Sequence, residues 1–254
     1  MLKNFVRKIF QVFPSLVDIN LRLSKFILQD SNARHVELSG LLSLDDSPGC
    51  SPSKRLLDLS AMVIEGAQNI ELTLLHERKA SHIVHCWPGE HYKLLSSLVR
   101  GLGSKRILEV GTYTGLSALA MIPELNSESK LVTVDIIPWD QIFGTYLIKE
   151  DFEDGRFSQI IADFGNMNEM LGHEKIIREA DVIFVDGPKD GVFERKFICN
   201  LISMKLTQNP IIIFDDIRVW NMLEIWREID QPKLDLVGFG HWTGTGLVDW
   251  CPHG

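Results

Sequence analysis

Five short apolar runs, ending at Val110, Asp135, Asp163, Asp186 and Asp215, are each followed by a turn or a helical pattern. That alternation predicts a doubly wound, mostly parallel α/β sheet with helices crossing over between strands. Four of the five runs close on aspartate. Ligands of open parallel sheets bind beyond the carboxyl ends of the strands, so these acids stand where a site belongs. Leu234 to Phe239 and Gly246 to Trp250 read as a closing strand pair, joined by Gly240-His241-Trp242-Thr243-Gly244-Thr245.

Between Arg106 and Met121 the pattern is strand, glycine turn, helix. Ile107, Leu108 and Val110 stop at Gly111, and apolar residues at helical spacing resume after Gly115. Glycines at such a turn let the backbone approach a ligand, and the following helix offers unpaired N–H groups. Neither Gly-x-Gly-x-x-Gly nor a Gly-Lys-Ser/Thr phosphate loop is present. Instead, Glu109 lies inside the strand end and Asp135 ends the next apolar run. A carboxylate at that second tip suits a ribose diol, with charge-assisted hydrogen bonds worth about 1.5–3 kcal/mol each. The expected ligand is a nucleoside without an essential phosphate.

The runs Val182 to Asp186 and Ile211 to Asp215 frame a crossover with a helix expected from about Gly191 to Lys205. If these strands pair, their ends lie about 4.8 Å apart and both acids reach one cation. Left alone, neighbouring carboxylates repel and one tends to stay protonated. A hard divalent cation removes the conflict, and oxygen-only ligands favour magnesium, or calcium or manganese, over zinc.

With these residues the chain resembles the class I S-adenosylmethionine-dependent methyltransferases, and among them the small-molecule O-methyltransferases of the catechol and caffeoyl-CoA type. Glu109-Val110-Gly111-Thr112-Tyr113-Thr114-Gly115 resembles that family's first motif, with Ser117 at its helix start. The resemblance implies a seven-stranded Rossmann-like sheet ending in an antiparallel pair. It also implies that Gly111 passes the methionine part of the cofactor, Asp135 binds the ribose, and Asp163 and Phe164 flank the adenine. Asp186 is shared by the cofactor and metal sites. Asp186, Asp215 and Asp216 would hold the metal, which binds a substrate hydroxyl, and Lys189 would remove its proton. Free lysine, with a pKa of about 10.4, is about one part in a thousand deprotonated near neutrality, so burial or a cation must lower that value.

Two departures accompany the resemblance. Asp216 stands where the family has Asn, and Gly187-Pro188 replaces a bulkier pair, so a catechol substrate is unsupported. His85, Trp87 and Glu90 before the motif, Arg218, Trp220 and Asn221 after the fifth strand, and His241 and Trp242 in the last loop are candidate substrate contacts. The expected activity is metal-assisted methyl transfer from S-adenosylmethionine to a hydroxyl of a small molecule. A metal-independent N- or O-methyltransferase and a non-catalytic methyltransferase-like binding protein are the alternatives.

A chain of 254 residues accommodates one domain with an extension, placed here as a helical extension over 1–88 and a cofactor-binding domain over 89–254. With 26 basic and 34 acidic residues, its net charge of -8 gives no field favouring nucleic acid. Cys50, Cys86, Cys199 and Cys251 are scattered, as suits reduced thiols in a cytoplasmic protein. No apolar run reaches the roughly 20 residues of a spanning helix. Phe5, Val6, Ile9, Phe10, Phe13, Leu16 and Val17 predict an amphipathic helix within Met1 to Leu28, packed on the domain or on a second subunit of a homodimer, or else lying on an anionic membrane. Asp30 to Lys54 reads as loop and Leu56 to Arg78 as helix. His82, His85 and His91 are expected in capping or solvated roles rather than on a metal, because Pro88-Gly89 interrupts their helix.

Overall fold

The computed structural model describes residues 51–80, 90–204, 206, 208–236, 238–240 and 242–250. The N-terminal segment, His82, His85, Trp87 and His241 lie outside the described residues. Helices α1 (Lys54–Ala67), α2 (Thr73–Glu77) and α3 (His91–Leu102) precede β1 (Arg106–Val110) and α4 (Leu116–Met121). There follow β2 (Lys130–Asp135), β3 (Phe157–Ile161), α5 (Met167–Leu171), α6 (Glu174–Arg178), β4 (Val182–Val185) and α7 (Val192–Met204). The chain closes with β5 (Ile211–Asp215), α8 (Met222–Glu228), β6 (Lys233–Asp235) and β7 (Thr245–Asp249).

The seven strands form one sheet in the order β3-β2-β1-β4-β5-β7-β6. β1 to β5 run parallel, and β7 is antiparallel to both β5 and β6. This is the Rossmann-like sheet with a closing antiparallel pair that the resemblance implied. The winding reverses between β1 and β4, which places the ligand crevice of a doubly wound sheet at their carboxyl ends.

Strand alternation explains the layering. Ile107, Leu131, Val182, Phe184, Ile211, Ile213 and Leu247 face a core shared with α1 to α4. Their neighbours Leu108, Val134, Ile183, Val185, Ile212, Phe214 and Val248 face a second core under Phe197, Leu201 and Ile225 of α7 and α8. Strands apolar on both faces are what a sheet buried on both sides requires.

The stretch expected as one helix over 56–78 is two. α1 ends at Ala67, and the chain turns before α2. Ile70 and Leu72 are both buried, at 4% and 7% exposed. The chain leaves α1 through a tight turn in which the Gln68, Asn69 and Ile70 N–H groups donate to the carbonyls three residues back, and this turn carries Ile70 and Leu72 into the core. β3 stops at Ile161, two residues before Asp163, and β6 is confined to Lys233–Asp235.

Candidate active site

The turn after β1 is built against its own protein. Gly111 has φ 107°, and a Cβ there would stand 2.2 Å from the Asp186 carbonyl oxygen. Gly115 has φ 83°, and a Cβ there would meet the Leu147 side chain at 2.3 Å. Both glycines are therefore required by internal packing, whatever else approaches the turn. Tyr113, between them, also has positive φ, at 41°.

Asp135 holds this turn in place. The Thr112 and Tyr113 N–H groups each donate to Asp135 Oδ2 at 3.0 Å, and the Ile137 N–H donates to Oδ1 at 3.2 Å. A carboxylate has about four acceptor positions, so the turn takes three and room remains for about one hydroxyl. Thr112 is further fixed by Thr133 Oγ1 at 2.8 Å and by Gln159 Nε2 at 3.0 Å.

Glu109 is fully buried on β1. Ser117 Oγ, in the first turn of α4, donates to its Oε1, while Oε2 has no hydrogen-bond partner. Burial pushes the Glu109 carboxyl up to about 8, against hydrogen bonding from Ser117 and Thr133 and with the help of the Asp186 and Asp135 charges. An orphaned, buried carboxylate oxygen beside the switch point fits a ligand that brings a cation or a donor.

The second cluster forms where β4 and β5 end side by side. Asp186, Asp215 and Asp216 each offer a carboxylate oxygen, all within 4.8 Å of one another. The Lys189 ammonium reaches into the same place. It pairs with Asp186, lies 3.0 Å from Asp216 Oδ2 and 3.9 Å from Asp215 Oδ2, and its residue is 5% exposed. Burial pushes the Asp186 carboxyl up; Lys189 opposes this, Asp215 and Asp216 reinforce it, and the net shift is upward. Burial alone would lower the Lys189 pKa, but Asp186, Asp216 and Asp215 outweigh it and hold the ammonium above the usual lysine range. Three carboxylates against one ammonium leave a net charge of about -2, which a divalent cation matches. The sequence required burial or a cation to lower the lysine's pKa; burial by itself is outweighed by the surrounding acids.

The remaining candidates are dispersed. The Phe164 ring is 1% exposed in the core beneath the sheet, near His173. Asp163 lies in the following turn, its Oδ1 accepting from the Gly165 N–H at 2.7 Å. Glu90 is exposed and pairs with Lys93 at 3.0 Å. Arg218 is committed to β6: its Nε donates to Asp235 Oδ2 at 2.7 Å. Asn221 Nδ2 donates to the Asp190 carbonyl at 2.8 Å, so it binds the loop of Lys189. Trp220, with φ 50°, and Trp242 are half-buried.

Two neighbours of the acids escaped sequence reasoning. His91 is 2% exposed rather than solvated; its Nδ1 shares a hydrogen bond with Thr245 Oγ1 at 2.9 Å and lies 3.6 Å from Asp215 Oδ1. Burial, then Asp215, Asp186 and Asp216, push the Tyr92 hydroxyl up, so it remains a neutral donor beside the cluster. Both sit in the first turn of α3, and only their approach to β5 and β7 across the fold reveals them.

Comparison with known proteins gives a consistent picture. The model of an O-methyltransferase family matches residues 70–231, from before α2 to beyond α8, and so includes the glycine turn and all three aspartates. Caffeoyl-CoA O-methyltransferase of Medicago sativa is 30% identical over 137 residues, 51% of this chain and 51% of that protein, so the chain spans about half the length of this relative. Caffeoyl-CoA O-methyltransferase 1 of Arabidopsis thaliana is 26% identical over 203 residues, covering 76% of this chain and 72% of that one. The structure of an S-adenosylhomocysteine-bound methyltransferase of Podospora anserina superposes with a TM-score of 0.51 at 20% identity, over 84% of this chain and 100% of that one, which establishes the shared fold.

Proposed function

This chain belongs to the O-methyltransferase family, and on that footing we propose that it transfers a methyl group from S-adenosylmethionine to a hydroxyl of a small molecule, assisted by a divalent cation such as magnesium. The observation that carries this reading is the convergence of Asp186, Asp215 and Asp216 within 4.8 Å, at the ends of β4 and β5, with β4 adjoining β1, which carries the buried Glu109.

When bound, S-adenosylmethionine supplies an electrophilic methyl on a sulfonium, and a divalent cation at the aspartates lowers the pKa of a substrate hydroxyl. Glu109 offers its unpartnered Oε2 to the cationic methionine end. Asp135 has acceptor capacity for about one ribose hydroxyl and otherwise keeps the glycine turn rigid. Once the charge of the three carboxylates is otherwise answered, the pull holding Lys189 protonated is relieved, and its Nζ can take the hydroxyl proton. Tyr92 adds a neutral donor beside the same acids. Orientation of oxygen, methyl carbon and sulfur in line supplies the rest of the acceleration. Pro188 is exposed where a bulkier wall is expected, which favours a substrate larger than a bare catechol.

Titration of S-adenosylhomocysteine into metal-stripped protein, with and without magnesium, tests the reading. Micromolar binding that Asp135→Ala abolishes, and turnover that chelator removes and magnesium restores, support it. Turnover indifferent to chelator selects the metal-independent alternative, and absence of binding in every condition removes the enzymatic reading.

A further inference from the structure

Glu194 is a buried acid with no part in the chemistry described above. It lies in the first turn of α7, 1% exposed, and gives both oxygens to backbone N–H groups instead of a side-chain cation. The Lys189 N–H donates to its Oε1 at 2.7 Å and the Gly191 N–H to its Oε2 at 2.9 Å. These two amides belong to residues with φ 57° and 76°, so the loop holds a lysine in a conformation that L side chains disfavour. Burying a carboxylate and straining a lysine at one turn are both unfavourable, and they persist where the surroundings over-determine the backbone.

The opposite side of the loop is held as well. Asn221, at the start of α8, donates from Nδ2 to the Asp190 carbonyl at 2.8 Å. A Cβ on Gly191 would stand 2.8 Å from the Asn221 Cβ, so the contact admits no side chain there. Asp190 Oδ1 accepts from the Val192 and Phe193 N–H groups at 2.8 and 2.9 Å, tying the loop's end to α7. The backbone of Lys189 to Gly191 is thus bound from two helices, and its left-handed turn sends the Lys189 ammonium between Asp186, Asp215 and Asp216.

We propose that Glu194 and Asn221 form a positioning clamp: they act on the Lys189 backbone, and through it fix where the ammonium meets the three aspartates before substrate or cation arrives. The clamp rests on the reading above only for what Lys189 does there. Gln at position 194 is nearly isosteric but turns an amide NH2 toward an N–H, so one of the two bonds is lost. The loop then opens locally while the cores on either side of the sheet stay packed.

The test is amine acylation of the full-length protein followed by mass spectrometry, comparing wild type, Glu194→Gln and Asn221→Ala. Lys233 is the internal control, because it is equally buried but its Nζ donates to the carbonyls of Trp226 and Ile229 at 2.6 and 2.9 Å. Labelling of Lys189 at least about tenfold faster in Glu194→Gln, and faster than wild type in Asn221→Ala, with Lys233 unchanged in both, supports the clamp, and a wild-type rate in Asn221→Ala removes Asn221 from it. Equal acceleration of both lysines means general destabilisation, and acceleration of neither means that the turn holds itself; either result overturns the proposal. Turnover adds a second readout: kcat falls about tenfold or more in Glu194→Gln while the Kd for S-adenosylhomocysteine stays within about twofold. If wild type neither binds that nucleoside nor turns over, the functional reading fails, and the labelling still decides the clamp.

Discussion

The Asp186 carbonyl oxygen lies 2.2 Å from where a Cβ on Gly111 would stand. The glycine turn and the strand end that carries the aspartate cluster therefore pack backbone against backbone. Asp186 also donates its N–H to the Val110 carbonyl at 2.8 Å, so the two strand ends are registered as well as packed.

Gly111→Ala should consequently damage both sites together. The obstructing atom is backbone and cannot rotate away, and the positive φ adds strain, so a loss of about 3 kcal/mol or more is expected. Chemical denaturation measures the stability, and calorimetry should show nucleoside and manganese binding lost in parallel. Loss of one with retention of the other would contradict the coupling.

Glu109 predicts a pH dependence. Its folded pKa of about 8 lies above the ordinary value of 4.5, so between these values the folded state binds more protons than the unfolded chain. Its contribution to stability is full below about pH 4.5, declines as pH rises, and levels off above about pH 8. The difference in unfolding free energy between wild type and Glu109→Gln should trace that slope. S-adenosylmethionine binding near pH 7 should release a proton, seen as a calorimetric enthalpy that varies with the buffer's ionisation heat.

Lys189→Met should separate ion pairing from chemistry. The ammonium competes with any metal for Asp186, Asp215 and Asp216, so its removal is expected to tighten manganese binding by about tenfold, a change of about 1.4 kcal/mol. Turnover should fall by orders of magnitude at the same time. Weaker manganese binding in the variant, followed by electron paramagnetic resonance, would count against the shared position.

Phe164→Ala distinguishes core from cleft. A fully buried phenylalanine costs about 3–5 kcal/mol when truncated. The variant should unfold earlier, yet bind S-adenosylhomocysteine within about twofold of wild type at a temperature where both are folded. A selective loss of nucleoside affinity would return the ring to the adenine.

The sheet itself was readable from particular residues. Val182 to Val185 and Ile211 to Phe214 are unbroken apolar runs, as strands buried on both faces must be, and the crossover between them makes them parallel neighbours. Adjacency of Asp186 and Asp215 followed from that, since parallel neighbours end together. The single helix expected over 56–78 failed because periodicity records which residues are apolar, not which neighbours compete to bury them. Ile70 and Leu72 reach the core from the turn that closes α1, not from a helical face.

What the linear pattern determined is the order of strands and helices and the concentration of acid at the carboxyl edge, because burial on two faces and parallel crossovers impose both. Tertiary structure decided where the side chains of the loops go. Lys189 enters the cluster through a turn at φ 57° held by Glu194, and Asp216 reaches it at φ 58°, neither conformation encoded by residue type. Asp135 spends most of its hydrogen-bonding capacity on the glycine turn, Arg218 on Asp235, and Phe164 on the core. Those assignments depend on contacts between residues tens of positions apart, and such contacts exist only once the sheet has closed.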